Sequence, residues 1–384
     1  MSLLDHYAQQ LEQLKSTANL RQFQSNLQHG RTIQIHGQRM LNLSSNDYLG
    51  LASDVSLREE FFDLTPAAER RMSASSSRLL TGNFREYEQL ETSLSQAFGR
   101  AALLFNSGYH MNIGILPALA DSKTLILADK LVHASMIDGI RLSSAKAVRY
   151  RHNDLAHLVR LLEQYHDDAQ IERIIVVTES IFSMDGDETD LAALAQLKQR
   201  FSKAMLYVDE AHAIGVRGGQ GLGCAEQYGV LHQIDFLVGT FGKAIASIGG
   251  YIICDPIIRD YLINKMRPLI FSTALPPISM AWSDFIFNKV LNMQQQRQHL
   301  AEISQFLQKA VIAKGFSSPS SSHIIPIIVG ESNAAIEKAR YVQQQGFYAM
   351  PVRPPTVPQN SSRLRISLTS MVQKAELEKL VECL

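Results

Sequence analysis

The stretch Ile234-Asp235-Phe236-Leu237-Val238-Gly239-Thr240-Phe241-Gly242-Lys243-Ala244 decides how the chain is read. Its apolar centre, Phe236 to Val238, reads as a buried strand that runs into a glycine-bearing turn presenting one hydroxyl, Thr240, and one amine, Lys243. Gly249-Gly250 and a second apolar strand, Tyr251 to Cys254, follow at once. Lysine is seldom buried without a partner. The amine is therefore either an ordinary loop lysine after a strand or one held there to react. Desolvation lowers a lysine pKa from about 10.4, and attachment as a Schiff base removes the charge altogether.

Outward from this run the pattern is regular. Apolar strands are expected at Ala101–Phe105, Leu125–Ala128, Ile174–Val177, Met205–Val208, Phe236–Val238 and Tyr251–Ile253, with helical stretches between several of them, such as 190–200 with Leu191, Leu194 and Leu197 on one face. Near-continuous apolar strands between helices predict an α/β fold whose mostly parallel central sheet is covered by helices on both faces. Most of these strands end in polar or glycine clusters: Asn106-Ser107-Gly108, Asp129-Lys130, Thr178-Glu179, Asp209-Glu210 and Gly239-Thr240. Ligands of open α/β sheets bind beyond the carboxyl ends of the strands, so the chemistry is expected there.

At 384 residues more than one domain is expected. The reading gives an N-terminal helical arm and short strand over 1–45, a large α/β domain over 46–275, and a smaller α+β domain over 276–384. The arm carries Leu4, Tyr7, Leu11 and Leu14 at helical spacing, and the Phe271–Pro277 run breaks the α/β pattern. In the last third, Ile324–Ile328 reads as an edge strand because of Pro326. A helix over 332–345 is expected to be capped by Ser332 and stopped by Gly346, and Arg363–Leu368 alternates like a half-buried strand. Lys+Arg and Asp+Glu are equal at 37 each, which leaves no basic footprint for nucleic acid or an anionic membrane. Three scattered cysteines suit neither a disulfide framework nor a structural zinc site, and no metal is expected. With no apolar run near the ~20 residues of a membrane span and no signal-like N-terminus, a cytoplasmic setting is expected.

Asp209-Glu210-Ala211-His212 directly follows the strand Leu206–Val208. As a nucleotide-dependent helicase motif it would need a Gly-x-x-x-x-Gly-Lys-[Ser/Thr] phosphate loop upstream, and there is none. Read with Lys243 it makes a different constellation. A pyridinium nitrogen wants an anion and the aldehyde of the same ring wants an amine, so Asp209, His212 and Lys243 on successive strand ends point to pyridoxal phosphate. Free N–H groups at the helix start after Asn106-Ser107-Gly108-Tyr109 suit its phosphate, with hydroxyls available from Ser183 and Thr240. His133, after another strand end, can stack on a flat ring.

In this order, Ser183-Met184-Asp185-Gly186-Asp187, Asp209-Glu210-Ala211-His212 and Thr240-Phe241-Gly242-Lys243 resemble the α-oxoamine synthases, fold-type-I pyridoxal-phosphate enzymes that join an amino acid to an acyl thioester with loss of carbon dioxide. Ser45–Leu51, Ser77-Arg78 with Gly82, and Phe271-Ser272-Thr273 with Pro276-Pro277 extend the resemblance from about residue 40 to the C-terminus. Arg353–Pro358, followed by Arg363-Leu364-Arg365, is similar to the branch that condenses L-alanine with a pimeloyl thioester, on coenzyme A or a carrier protein. Branches using glycine, and a non-catalytic scaffold, are the alternatives. The resemblance implies that Lys243 forms the Schiff base and moves protons, Asp209 pairs with the ring nitrogen, His212 contacts the ring oxygen, and His133 stacks and helps hold substrate. It further implies cofactor contacts from Gly108, Tyr109, Ser183 and Thr240, with Thr273 reaching the phosphate from the second subunit of a homodimer. Substrate contacts fall to Arg21, Asn46, Arg353 (for the amino-acid carboxylate) and Thr356. The chain departs from the family pattern at the serine-rich Ser73–Ser76, at Tyr87 and at His110.

Overall fold

The computed structural model describes residues 3–384. They group into two compact units, one of 54–183 with 188–297, the other of the residues up to Ser53 with 184–187 and 298–384.

The first unit is built on a seven-stranded sheet. In chain order its strands are β1 (Ala101–Phe105), β2 (Thr124–Asp129), β3 (Lys146–Tyr150), β4 (Arg173–Glu179), β5 (Ala204–Asp209), β6 (Phe236–Thr240) and β7 (Gly250–Cys254); in space the order is β1-β7-β6-β5-β4-β2-β3. All pairings are parallel except those of β7, which runs antiparallel to β1 and β6. The six expected strands are present. The seventh, β3, escaped the pattern because as Lys-Ala-Val-Arg-Tyr on the sheet edge it is mostly solvated. Strands β2, β5, β6 and β7, by contrast, are buried almost throughout, which is why they read as unbroken apolar runs. Leu103, Ile126, Ile175, Tyr207, Phe236 and Ile252 belong to the main core cluster. Helix α1 (Arg85–Phe98) turns Tyr87, Leu90, Leu94 and Phe98 inward and ends at Gly99, whose φ of +67° makes the left-handed cap.

The reversal of β7 matters for function. It brings Gly250, the first residue of β7, level with the last residues of β1 and β6, Phe105 and Thr240. A side chain at Gly250 would sit 3.0 Å from the Gly108 nitrogen. Only glycine lets the chain enter α2 (Gly108–Leu119) so close to the sheet edge.

The unit boundaries differ from those expected. Residues 276–297, expected in the smaller domain, stay with the large sheet, where Ile278 donates its N–H to the Arg71 carbonyl (3.2 Å) just after Ala274 and Leu275 bond the Ser76 carbonyl (2.9 Å) and the Tyr87 hydroxyl (2.6 Å); residues 46–53, expected in the large domain, fall in the other unit. In the other unit, residues 184–187 join because Ser321 donates to the Gly186 carbonyl (3.1 Å). That unit holds a small sheet of β8 (Ile324–Gly330), β9 (Pro351–Val352) and β10 (Ser362–Ser367), ordered β8-β10-β9, so the proline-bearing strand is indeed an edge. Two expectations fail. Strand β10 is buried at every position, not at alternate ones, because Arg363 is ion-paired with Asp185 and Arg365 is bonded to Asn46 and Ser367. The helix Ser332–Gln344 begins at Ser332 instead of being capped by it; the hydroxyl of Ser332 lies 3.4 Å from both Asn19 Oδ1 and Ser362 Oγ. The arm forms the helix Asp5–Ser16, and Leu4, Tyr7, Leu11 and Leu14 along it are all exposed. No described helix is long and apolar enough to cross a membrane.

Candidate active site

The carboxyl ends of four neighbouring strands collect the chemistry of the larger unit. Asp209 closes β5, buried to 6% exposure. Its Oδ1 accepts the N–H of Ala211 (2.9 Å), and its Oδ2 accepts Asn112 Nδ2 (3.0 Å). Asn112, on α2 and equally buried, uses its other amide hydrogen on Ser135 Oγ (3.0 Å) and accepts from the Tyr207 hydroxyl (2.5 Å). Ser135 in turn meets His133 Nδ1 at 2.8 Å, so one hydrogen-bonded chain runs from the carboxylate to the imidazole. His133 is the N-cap of α3 (Ala134–Leu142). Burial lowers its pKa first, Lys243 pushes the same way, and Asp209 opposes both.

Lys243 leaves the turn after β6, and its Nζ lies 2.8 Å from His212 Nε2. Asp209 and Lys243 both act electrostatically on His133 and on Glu179 at the end of β4. The four groups therefore lie near enough to act on one another, at or just beyond the carboxyl ends of β2, β4, β5 and β6. Thr240 spends its hydroxyl locally, donating to the Gly249 carbonyl (2.9 Å) and accepting the Gly242 N–H (3.1 Å), which shapes the turn that carries Lys243. Ser107 caps α2 by accepting the His110 N–H (3.1 Å), and His110 Nδ1 returns to the same hydroxyl at 3.1 Å. Gly108 opens that helix with Thr240 beneath it, 3.5 Å from where a Cβ would stand. Tyr109 is exposed, its hydroxyl bonded to Asp138. Ser183 follows β4 by four residues. Thr273 is exposed, and its carbonyl accepts Asn106 Nδ2 at 2.7 Å. Tyr87 is buried beneath the Arg78 guanidinium; burial pushes its hydroxyl up to about 12 and leaves it a neutral anchor for Leu275.

A pyridoxal phosphate fits this donor set. A buried carboxylate ends β5 and an amine follows the adjacent β6, α2 begins at a glycine on the sheet edge, and Glu179 Oε1 is a buried oxygen with no partner among the described residues.

The smaller unit carries the remaining expected residues in two sets of hydrogen bonds. Arg21 Nη2 donates to Thr356 Oγ1 (2.8 Å), and Arg353 bonds the Ala18 carbonyl. Burial, then the charge of Arg21, lowers the pKa of Arg353. Asn46 has other partners: its Oδ1 accepts the Tyr48 hydroxyl (3.0 Å) and Arg365 Nη1 (3.2 Å). The guanidinium set on Asn46 is thus that of Arg365.

Three residues of these clusters had no role assigned from sequence. Asn112 could have been found as a lone amide in the otherwise apolar helix after Gly108. Glu179 was visible only as a polar strand end. Glu210, inside the Asp-Glu-Ala-His run, proves to be a fully buried tie: it accepts from Ser180 Oγ and from the N–H groups of Cys224 (3.1 Å) and Ala225 (2.7 Å).

Residues 38–384 match the family model of class I and II aminotransferases. An 8-amino-7-oxononanoate synthase of Haemophilus ducreyi is 53% identical over 99% of this chain and its own full length. A Pasteurella multocida protein provisionally given the same name is 56% identical over 100% of the chain and 99% of its own. Among solved structures, a serine palmitoyltransferase from S. paucimobilis bearing a PLP–myriocin aldimine superposes with a TM-score of 0.90 at 25% identity, covering 100% of this chain and 97% of that one. The 8-amino-7-oxononanoate synthase of Francisella tularensis superposes at 0.74 and 28% identity over 90% and 96%. The chain belongs to the class I and II aminotransferase family of fold-type-I pyridoxal-phosphate enzymes, and within it to the acyl-transferring α-oxoamine synthases.

Proposed function

We propose that this enzyme is an 8-amino-7-oxononanoate synthase of biotin synthesis, which condenses L-alanine with a pimeloyl thioester and releases carbon dioxide. The observation that carries the choice of substrate is the full-length identity, above one half, to relatives bearing that name. Bound pyridoxal phosphate supplies the electron sink for the amino acid's α-carbon. Lys243 would hold the cofactor at its aldehyde and would move the proton at the alanine α-carbon. Asp209, anchored by Asn112 and the Ala211 N–H, would pair with the ring nitrogen and favour its protonated form. His212 would contact the ring oxygen, while His133, oriented by Ser135, would stack on the ring and help hold substrate. Gly108, Tyr109, Ser183 and Thr240 take the remaining cofactor contacts, and we assign Thr273 of a second copy to the phosphate in a homodimer with shared sites. A guanidinium binds a carboxylate through two parallel bonds. Arg353 and the Asn46–Arg365 pair are the groups proposed for the amino-acid carboxylate, with Arg21 and Thr356 as further substrate contacts.

The test is the mass of the product formed from a pimeloyl thioester with alanine or glycine. Alanine plus pimeloyl less carbon dioxide is expected. A product only from glycine and a short acyl thioester would make the enzyme a 2-amino-3-oxobutyrate-forming sister, and a colourless protein with no product would leave a non-catalytic scaffold.

A further inference from the structure

One nitrogen of the His133 imidazole carries two hydrogen bonds. Nδ1 lies 3.3 Å from the backbone nitrogen of Ser135 and 2.8 Å from the Ser135 hydroxyl. A main-chain N–H can only donate. Nδ1 is therefore the acceptor, in the way that an N-cap side chain takes an N–H from the first turn of its helix. An imidazole nitrogen that accepts carries no proton, so the hydrogen of the neutral ring sits on Nε2.

The buried side of the network demands the same direction. The carboxylate of Asp209 can only accept, so the atom of Asn112 facing it at 3.0 Å is the amide nitrogen. The amide oxygen then accepts from the Tyr207 hydroxyl at 2.5 Å, and the second amide hydrogen goes to Ser135 Oγ at 3.0 Å. Ser135 Oγ accepts there, which leaves its own hydrogen for His133 Nδ1. Ser135 and Asn112 are 1% and 2% exposed, so these bonds are closed to bulk water.

We propose that Ser135 is a positioning residue: directed by Asn112, it commits His133 Nδ1 as an acceptor, so that His133 meets substrate as a hydrogen-bond donor through Nε2–H and not as a base. Nε2 bonds nothing among the described residues, and the His133 side chain is exposed. Protonating Nδ1 would set one N–H against another, so the neutral ring is the form that keeps both bonds. The partner that Nε2–H fits is an oxygen of the substrate, since carboxylate and carbonyl oxygens accept. Removal of a proton from carbon is then left to the amine of Lys243. What the N–H serves rests on the pyridoxal-phosphate reading of the site, whereas the tautomer does not.

Nuclear magnetic resonance of the full-length protein, isotopically labelled at the histidine ring nitrogens, reads the tautomer directly at about pH 8, where an ordinary imidazole is uncharged. The His133 signals are those missing from His133→Gln. In the cofactor-free wild type the Nε2–H form is expected to exceed the Nδ1–H form by about tenfold or more, because two hydrogen bonds favour it and each is worth about fivefold. Ser135→Ala is expected to lower that ratio by about fivefold, and Ser135→Thr, which keeps a hydroxyl, to stay within about twofold of wild type. A wild-type ring protonated on Nδ1, or a ratio that Ser135→Ala leaves unchanged, would overturn the proposal. Should neither Ser135 variant fold, the wild-type spectrum decides alone. Visible absorbance of the same wild-type protein titrated with pyridoxal phosphate tests the site separately. An Nε2–H ring in a protein that takes up no cofactor would overturn the reading of the site, and with it the substrate role of the N–H, while the control of the tautomer by Ser135 would stand.

Discussion

Asn112→Leu removes the one side chain that joins Asp209, Ser135 and Tyr207. Leucine preserves the volume and the helix but makes none of the three bonds. A net neutral hydrogen bond is worth about 1 kcal/mol and one to a charged acceptor about 1.5–3 kcal/mol, and the partners left behind are buried. The expected loss of stability is about 3–5 kcal/mol, the top of the range for single substitutions. The share belonging to Asp209 also appears in cofactor binding, since a carboxylate without its anchor must be ordered by the ligand. At 1.4 kcal/mol per factor of ten, that share weakens pyridoxal-phosphate affinity by about 10- to 100-fold. Urea denaturation of the cofactor-free protein gives the first quantity and an absorbance titration the second. Tyr207→Phe is the control, removing one bond on the far side of Asn112 from Asp209. It is expected to cost about 1 kcal/mol of stability and to leave affinity unchanged within about twofold. An Asn112→Leu protein that binds the cofactor as wild type would refute the claim that this amide holds the carboxylate in place.

Further outcomes are expected elsewhere. Lys243→Ala should abolish turnover and the borohydride-sensitive visible band together; near wild-type turnover would reject the covalent role. Glu210 is raised from the ordinary 4.5 to about 7, burial being the chief cause and its three hydrogen bonds opposing. Its folded form therefore binds the proton more tightly than the unfolded chain does. The resulting stability is full below pH 4.5 and is lost as pH rises through 7, amounting to about 3 kcal/mol. The stability of wild type relative to Glu210→Gln should fall by about that much between pH 4.5 and 8 in urea titrations, and a constant difference would contradict the burial account. Arg365→Gln should raise the KM for alanine by about tenfold or more with a smaller change in kcat, as loss of a carboxylate contact does; steady-state kinetics beside Arg353→Gln will show which guanidinium takes that carboxylate.

Much of this was legible in the chain itself. Local apolar runs report strands buried on both faces, because burial leaves few other residue types possible, and six strands of the sheet follow from that alone. Polar residues at strand ends report the ligand edge for the same reason, and the order of Asp209, His212 and Lys243 carries the cofactor. What period and motif could not reach were pairings made across the sequence. Asn112 meets Asp209 at a separation of 97 residues, and Arg365 meets Asn46 at 319. Neither pairing leaves a mark in either segment's local pattern. The reversal of β7, which brings Gly250 beside Gly108, depends on sheet order, and strand propensity says nothing about order. The same holds for β10, where two arginines read as solvent-facing until their partners, Asp185 and Asn46, are in place. Sequence determined which residues are chemically able to act. Tertiary structure alone decided which of them come together, because a hydrogen bond depends on distance in space and is indifferent to distance along the chain.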